Sequence, residues 1–239
     1  MSTAECIHGF EPGLCDTCYP KVQVERPKAV RPPRTAAPKR TAPVVAAKPV
    51  ITTANQRAYH LTHVDNLERI LADGALVADA RPPVDLSSEL ARELRSTAEA
   101  APSKPVSDYV PFSLEPLSTL WLELREGSAD PRWSAAALAA ASTDFVFLVT
   151  TVSALGPEVV IADGDAASTY TRFAGGDDVV RMLERLYDTD VRPDAEVLAP
   201  GRVPWQAIQL VGVANEKVRD RVRALTTTKV AVYPPWFVA

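Results

Sequence analysis

Two stretches hold the residue types that could do chemistry in this chain. The first is Ala195-Glu196-Val197-Leu198, where Glu196 interrupts an otherwise apolar run. A carboxylate inside an apolar strand is costly unless it is partnered or used. A solvent-facing residue on an edge strand is the bland alternative. The second is Tyr59 to Gly74, which gathers His60, Thr62, His63 and Asn66, two of the chain's three histidines among them. Polar groups at a strand end, just before a helix N-terminus, suit a ligand carrying phosphate or carboxylate. An ordinary β-to-α corner with surface histidines fits the same pattern. Arg92, Arg95, Tyr109, Asp163, Asp165 and Arg172 complete the polar candidates. No Gly-x-Gly-x-x-Gly turn, phosphate-binding P-loop or Gly-x-Ser-x-Gly elbow occurs.

A separate cluster opens the chain. Cys6, His8, Cys15 and Cys18 follow a C-x-H-x6-C-x2-C spacing. Three thiolates and an imidazole complete a tetrahedral set for structural zinc, although the C-x-H half is unusually short. Four protein ligands leave no open coordination position, so no metal catalysis is expected there. Reduced cysteines in an unstructured tail are the alternative.

The elements that must position these residues are legible in outline. Tyr59, Leu61 and Val64 suit a short strand. Leu67, Ile70 and Leu71 then fall at helical spacing, with Asp65 or Asn66 as cap and Gly74 as stop. Leu86, Leu90 and Leu94 predict a helix within 85–101. Val110, Phe112 and Leu114 alternate, with Tyr109 on the other face. Helical turns are expected over 117–124 and 133–141. Phe145 to Val149, apolar on both faces, is the best central strand. Further strands are expected at 159–161, 195–198, 210–213 and 229–233. Helices are expected at 177–187, with Val180, Leu183 and Leu186 on one face, and at 217–225. Strands irregularly separated by helices point to an α+β fold.

Charge divides the chain more sharply than its net value of −4 suggests. Residues 1–20 hold three acids and no Lys or Arg, and residues 21–58 hold nine bases against one acid, which leaves nine net negative charges on the remainder. The expected organisation is a zinc knuckle at 1–20, a Pro/Lys/Arg-rich flexible linker at 21–56 and a catalytic domain at 57–239. The linker could attract nucleic acid without reading its sequence, or act as a plain tether. With no secretory signal and no membrane-length apolar stretch, the expected location is the cytoplasm.

In combination these stretches resemble the DarT family of DNA ADP-ribosyltransferases, toxins that attach ADP-ribose from NAD to a base in single-stranded DNA. Tyr59-His60-Leu61-Thr62-His63-Val64-Asp65-Asn66-Leu67 resembles the family's N-terminal block, and Asp108-Tyr109-Val110-Pro111-Phe112 a second one. Ala162-Asp163-Gly164 with Arg172-Phe173, then Ala195 to Leu198 with Pro204-Trp205, follow in family order over about residues 57–239. The resemblance implies an ADP-ribosyltransferase fold with a central split sheet. It implies NAD as co-substrate, single-stranded DNA as acceptor and a macrodomain-type antitoxin as possible partner. Glu196 matches the catalytic carboxylate, and Arg95 the catalytic arginine, with Arg92 one helical turn earlier as the alternative. His60 and Thr62 match positions that hold the NAD ribose and nicotinamide amide. Asn66 matches a supporting position and Tyr109 belongs to the same cofactor-binding set. The chain departs from the family after Phe112, reading Ser113-Leu114-Glu115-Pro116-Leu117 where an arginine and a methionine are usual. That departure leaves room for a second reading, a non-catalytic module with a degenerate transferase fold, or for RNA or protein as acceptor.

Overall fold

The computed structural model describes residues 50–101, 103–187 and 189–238. Cys6, His8, Cys15 and Cys18, and most of the expected linker, lie outside the described residues.

The strands are β1 (Arg57–His63), β2 (Ala75–Val77), β3 (Glu99–Ala101), β4 (Lys104–Pro105), β5 (Tyr109–Ser113), β6 (Phe145–Thr151), β7 (Val160–Ala162), β8 (Phe173–Gly175), β9 (Glu196–Pro200), β10 (Arg202–Pro204), β11 (Leu210–Val213) and β12 (Val230–Val232). The helices are α1 (Leu67–Asp73), α2 (Glu89–Thr97), α3 (Thr119–Arg125), α4 (Ala135–Ala139), α5 (Asp178–Leu186) and α6 (Glu216–Arg223). Eight strands form one sheet in the order β12-β11-β6-β1-β5-β9-β7-β8, antiparallel except for the β11–β12 pair. The architecture is α+β.

The sheet is split at its middle. β1 pairs with β6 along its whole length, from Arg57 opposite Thr151 to His63 opposite Phe145. β5 pairs with β9 equally fully. Between β1 and β5 a single register holds, Tyr59 opposite Ser113. Beyond it the two strands diverge, and the opening between them is the cleft described below.

Apolar residues on alternate positions bury both sheet faces. In β6, Val146 and Leu148 join a large cluster with Phe112, Val197, Leu183 and Val222. Phe145, Phe147 and Val149 join a second cluster with Tyr59, Trp121, Ala137 and Phe237. The period of two thus explains why this strand, apolar on both faces, runs through the middle of the molecule.

Some expected elements are corrected by tertiary context. The helix foreseen within 85–101 is only Glu89–Thr97, because Ser88 caps it by accepting from the Ala91 N–H and Leu86 lies before the cap. Residues 99–101 turn into a strand instead. The buried face of α5 is Val179, Met182, Leu183 and Leu186, while Val180 is exposed. Neither Asp65 nor Asn66 caps α1 through its side chain. The His63 ring accepts from the Asp65 N–H at the start of the preceding 3-10 turn. Gly74 ends α1 in the left-handed region (φ +65°), as its position after the last apolar residue predicts.

Candidate active site

A cleft of about 300 Å³ opens where β1 and β5 part, and His60, Thr62, Tyr109, Arg95, Trp133 and Glu196 are among the residues lining it. Each wall is set by a different element. β1 supplies His60 and Thr62, β5 supplies Tyr109, the last turn of α2 supplies Arg95, and the first residue of β9 is Glu196.

Glu196 is 5% exposed. It sits on no solvated edge, because β9 is bracketed by β5 and β7, with Ser113 and Ala162 as its cross-strand neighbours. Its Oε1 accepts from the Ala166 N–H at 2.8 Å, and Arg95 Nη1 donates to Oε2 at 3.1 Å and to Oε1 at 3.4 Å. A buried carboxylate is tolerable here because a guanidinium and a backbone amide share its charge. The Arg95 Nη2 is buried and has no hydrogen-bond partner among the described residues.

Arg92 has a different task. Its guanidinium forms ion pairs with Asp79 and Asp85 and donates to the Ala80 carbonyl at 2.8 Å. One helical turn separates the two arginines, yet Arg92 clamps α2 to the 78–88 loop while Arg95 meets the carboxylate.

On the facing wall, His60 Nδ1 lies 2.8 Å from the Pro111 carbonyl. A carbonyl can only accept, so Nδ1 carries the proton of the neutral ring and Nε2 is left as an acceptor. Burial pulls the ring below the ordinary histidine value of 6.5, and the Pro111 contact opposes that shift. Thr62 is buried and its hydroxyl accepts from Asn66 Nδ2 at 3.1 Å. Asn66 itself is fully buried. It donates to the Val84 carbonyl at 2.8 Å and accepts from the Val84 N–H at 3.0 Å. Asn66 therefore staples the 78–88 loop to β1 and holds the Thr62 hydroxyl, a supporting arrangement around the cleft. Tyr109 is buried against Val106, Val160 and Leu198, and burial raises its phenol above the usual value of 10.

The departure after Phe112 has a structural use. Glu115 accepts from Arg192 Nε at 2.7 Å, and Arg192 Nη2 also donates to Gln56 Oε1 at 2.9 Å. The extra glutamate thus holds the segment leading into β9 and is spent on that clamp. His63 packs edge-on against Phe145 and serves as a cap. Asp163 accepts from the Arg172 N–H and from Arg185, and Asp165 pairs with Arg132, so both shape the 163–172 loop. Arg132 and Trp133 carry no local signal in the sequence, since an Arg-Trp pair in a polar stretch is unremarkable.

A split sheet with a buried, guanidinium-held carboxylate on one wall and a neutral histidine on the other suits enzymes that break a ribosyl–nitrogen bond, the class to which the NAD-using ADP-ribosyltransferases belong. The family model "ssDNA thymidine ADP-ribosyltransferase, DarT" matches residues 59–238, and the chain belongs to the DarT family. A DNA ADP-ribosyl transferase of Mycobacterium tuberculosis is 28% identical over 191 residues, covering 70% of this chain and 80% of that protein. Among solved structures, Thermus sp. 2.9 DarT in complex with ADP-ribosylated single-stranded DNA superposes with a TM-score of 0.64 at 21% identity, covering 77% of this chain and 96% of that one. The same Thermus protein in complex with NAD+ gives 0.62 at 22% identity, covering 77% and 98%.

Proposed function

We propose that this chain transfers ADP-ribose from NAD to a thymidine-type base in single-stranded DNA and releases nicotinamide. The observation that carries the reading is Glu196, a buried carboxylate held by Arg95 and the Ala166 amide in the cleft that His60 and Thr62 also line. The family supplies the acceptor class.

The bond between nicotinamide and ribose breaks through an oxocarbenium-like centre, as in glycoside hydrolysis. Its electron pair leaves with nicotinamide. A ring nitrogen of the base supplies the pair for the new carbon–nitrogen bond, and the proton on that nitrogen is released to Glu196 or to solvent. Glu196 has two oxygens for these tasks: one accepts from the ribose 2′-hydroxyl, and the carboxylate as a whole stabilises positive charge developing on the sugar. The Ala166 N–H and Arg95 fix its orientation beforehand, so little reorganisation accompanies charge development. His60 Nε2 accepts from a ribose hydroxyl and Thr62 donates to the nicotinamide amide. The unpartnered Nη2 of Arg95 is available to an acceptor oxygen on the base or the diphosphate once the side chain shifts on binding.

The reaction needs NAD and exposed DNA strands in one compartment, which points to the cytoplasm. No helix among the described residues is long and apolar enough to cross a membrane. A DNA-modifying transferase is toxic to its own cell, so a macrodomain-type protein that removes ADP-ribose is the expected antidote. Nicotinamide release with single-stranded DNA present tests the chemistry. Release by the wild-type chain and none by Glu196→Ala supports the assignment, and undiminished release by Glu196→Ala rejects it.

A further inference from the structure

Among the described residues, the shortest hydrogen bond to Glu196 Oε1 comes from a loop, not from a strand or helix. Ala166 belongs to the connection between β7 and β8, and its N–H donates to Glu196 at 2.8 Å. Next to Ala166, Asp165 orients this loop. Its side chain accepts from the Ala167 N–H at 2.9 Å and its carbonyl from the Thr171 hydroxyl at 2.6 Å. The remaining carboxylate oxygen, Oδ2, takes Arg132 Nη1 at 2.5 Å.

Arg132 reaches the loop from the segment between α3 and α4. It is gripped at its base by Asp130, which accepts from Nε at 3.0 Å and from Nη2 at 2.8 Å, and Glu123 of α3 approaches Nη2 at 3.5 Å. One guanidinium therefore gathers three carboxylates, and the side chain is 28% exposed. These hydrogen bonds push the Arg132 pKa further above the usual arginine value, the Asp130 contact foremost, so its charge is permanent. Among the described residues, Arg132 is the single cation lining a hollow that Glu123, Asp163, Asp165 and Asp194 also line. Without it, Asp165 and Glu123 would repel one another, and the loop carrying Ala166 would move away from Glu196.

We propose that Arg132 is a positioning residue for the transfer reaction, setting the geometry of the Glu196 carboxylate through Asp165 and Ala166. This role rests on the transferase reading above. Arg132 touches neither the carboxylate nor the NAD cleft, so its removal acts on the chemical step and leaves NAD binding in place. A displacement of about 1 Å at a catalytic group costs up to roughly a hundredfold in rate.

The test is steady-state kinetics of the full chain with NAD and a single-stranded oligonucleotide, using Arg132→Ala, Asp165→Ala and the double variant. Each single variant is expected to lower kcat roughly ten- to a hundredfold with KM for NAD within about twofold of wild type. The double variant should be no slower than the slower single, because both break one link. A kcat within twofold of wild type for Arg132→Ala, or losses that multiply in the double variant, overturns the proposal. Should Arg132→Ala fail to fold, Asp165→Asn serves, since it leaves Arg132 on Asp130; an unchanged kcat there overturns the proposal equally. Amide hydrogen exchange at Ala166 separates this role from the function it rests on. Wild-type protein that releases no nicotinamide rejects the transferase reading, whereas Ala166 exchange unaltered by Arg132→Ala rejects the positioning role by itself.

Discussion

His60 is the residue at which pH enters. Its ring is driven below 6.5 in the fold by burial, while the unfolded ring titrates near that value. Between the two values the unfolded chain holds more protons than the native one. Stability from His60 is therefore complete above about pH 6.5 and is lost as pH falls through the native value. Thermal melts from about pH 5 to 7.5 should show that loss on the acid side, and His60→Gln should flatten it. Protonation also turns Nε2 from acceptor to donor, so KM for NAD should rise over the same acid range. Asn66 makes a second prediction. Replacing it with Ala strips Thr62 of its donor and leaves the half-buried Val84 N–H and carbonyl without their side-chain partner. A stability loss of about 1–3 kcal/mol in denaturant titration is expected, since an unsatisfied polar group costs about that much when buried and less where water reaches it. A loss below about 0.5 kcal/mol would show that the staple is dispensable.

At the scale of elements, the C-terminal tail is what seals the second apolar cluster. Phe237 is fully buried, Trp236 packs edge-on against Tyr59 and Phe147, and Trp121 Nε1 donates to the Trp236 carbonyl at 2.5 Å. β11 admits this because residue 212 is glycine: a Cβ there would meet Trp236 Cζ3 at 2.5 Å. Gly212→Ala should therefore destabilise the domain by roughly 1–3 kcal/mol through overpacking, seen as a lower Tm; an unshifted Tm would mean the tail packs loosely. The sequence shows some of this organisation and hides the rest. Val110, Phe112 and Leu114 alternate as a half-buried strand must, and Phe145 to Val149 announces a strand buried on both faces. β2, β8 and β10 carry too few residues to give a period; their pairing partners decide them. The Glu196 signal survives in sequence because a carboxylate among aliphatics is anomalous. Arg132 gives no such signal, since its meaning depends on Asp165, thirty-three residues away. The choice between Arg92 and Arg95 likewise depends on which helix face meets β9, a tertiary fact.

For the whole molecule, charge distribution sets the problem. The chain beyond residue 58 carries nine net negative charges and residues 21–58 eight net positive ones. An acidic domain gains little from phosphate attraction, which makes the basic segment the place to test for general affinity to a DNA strand against a role as plain tether. Deleting residues 1–48 should weaken single-strand binding and reduce its dependence on salt, with little change in kcat at saturating DNA. Fluorescence anisotropy across a salt series measures both. Equal salt slopes for full-length and shortened chains would assign DNA affinity to the acidic domain alone.

On the proposed function, the Glu196 cleft joins ADP-ribose to a base of single-stranded DNA. Intact mass of an NAD-treated, thymidine-containing oligonucleotide tests it most directly. Wild-type protein should add one ADP-ribosyl group to the oligonucleotide, and Glu196→Ala none. An oligonucleotide of unchanged mass across varied sequences, treated with folded wild-type protein and ample NAD, would contradict it.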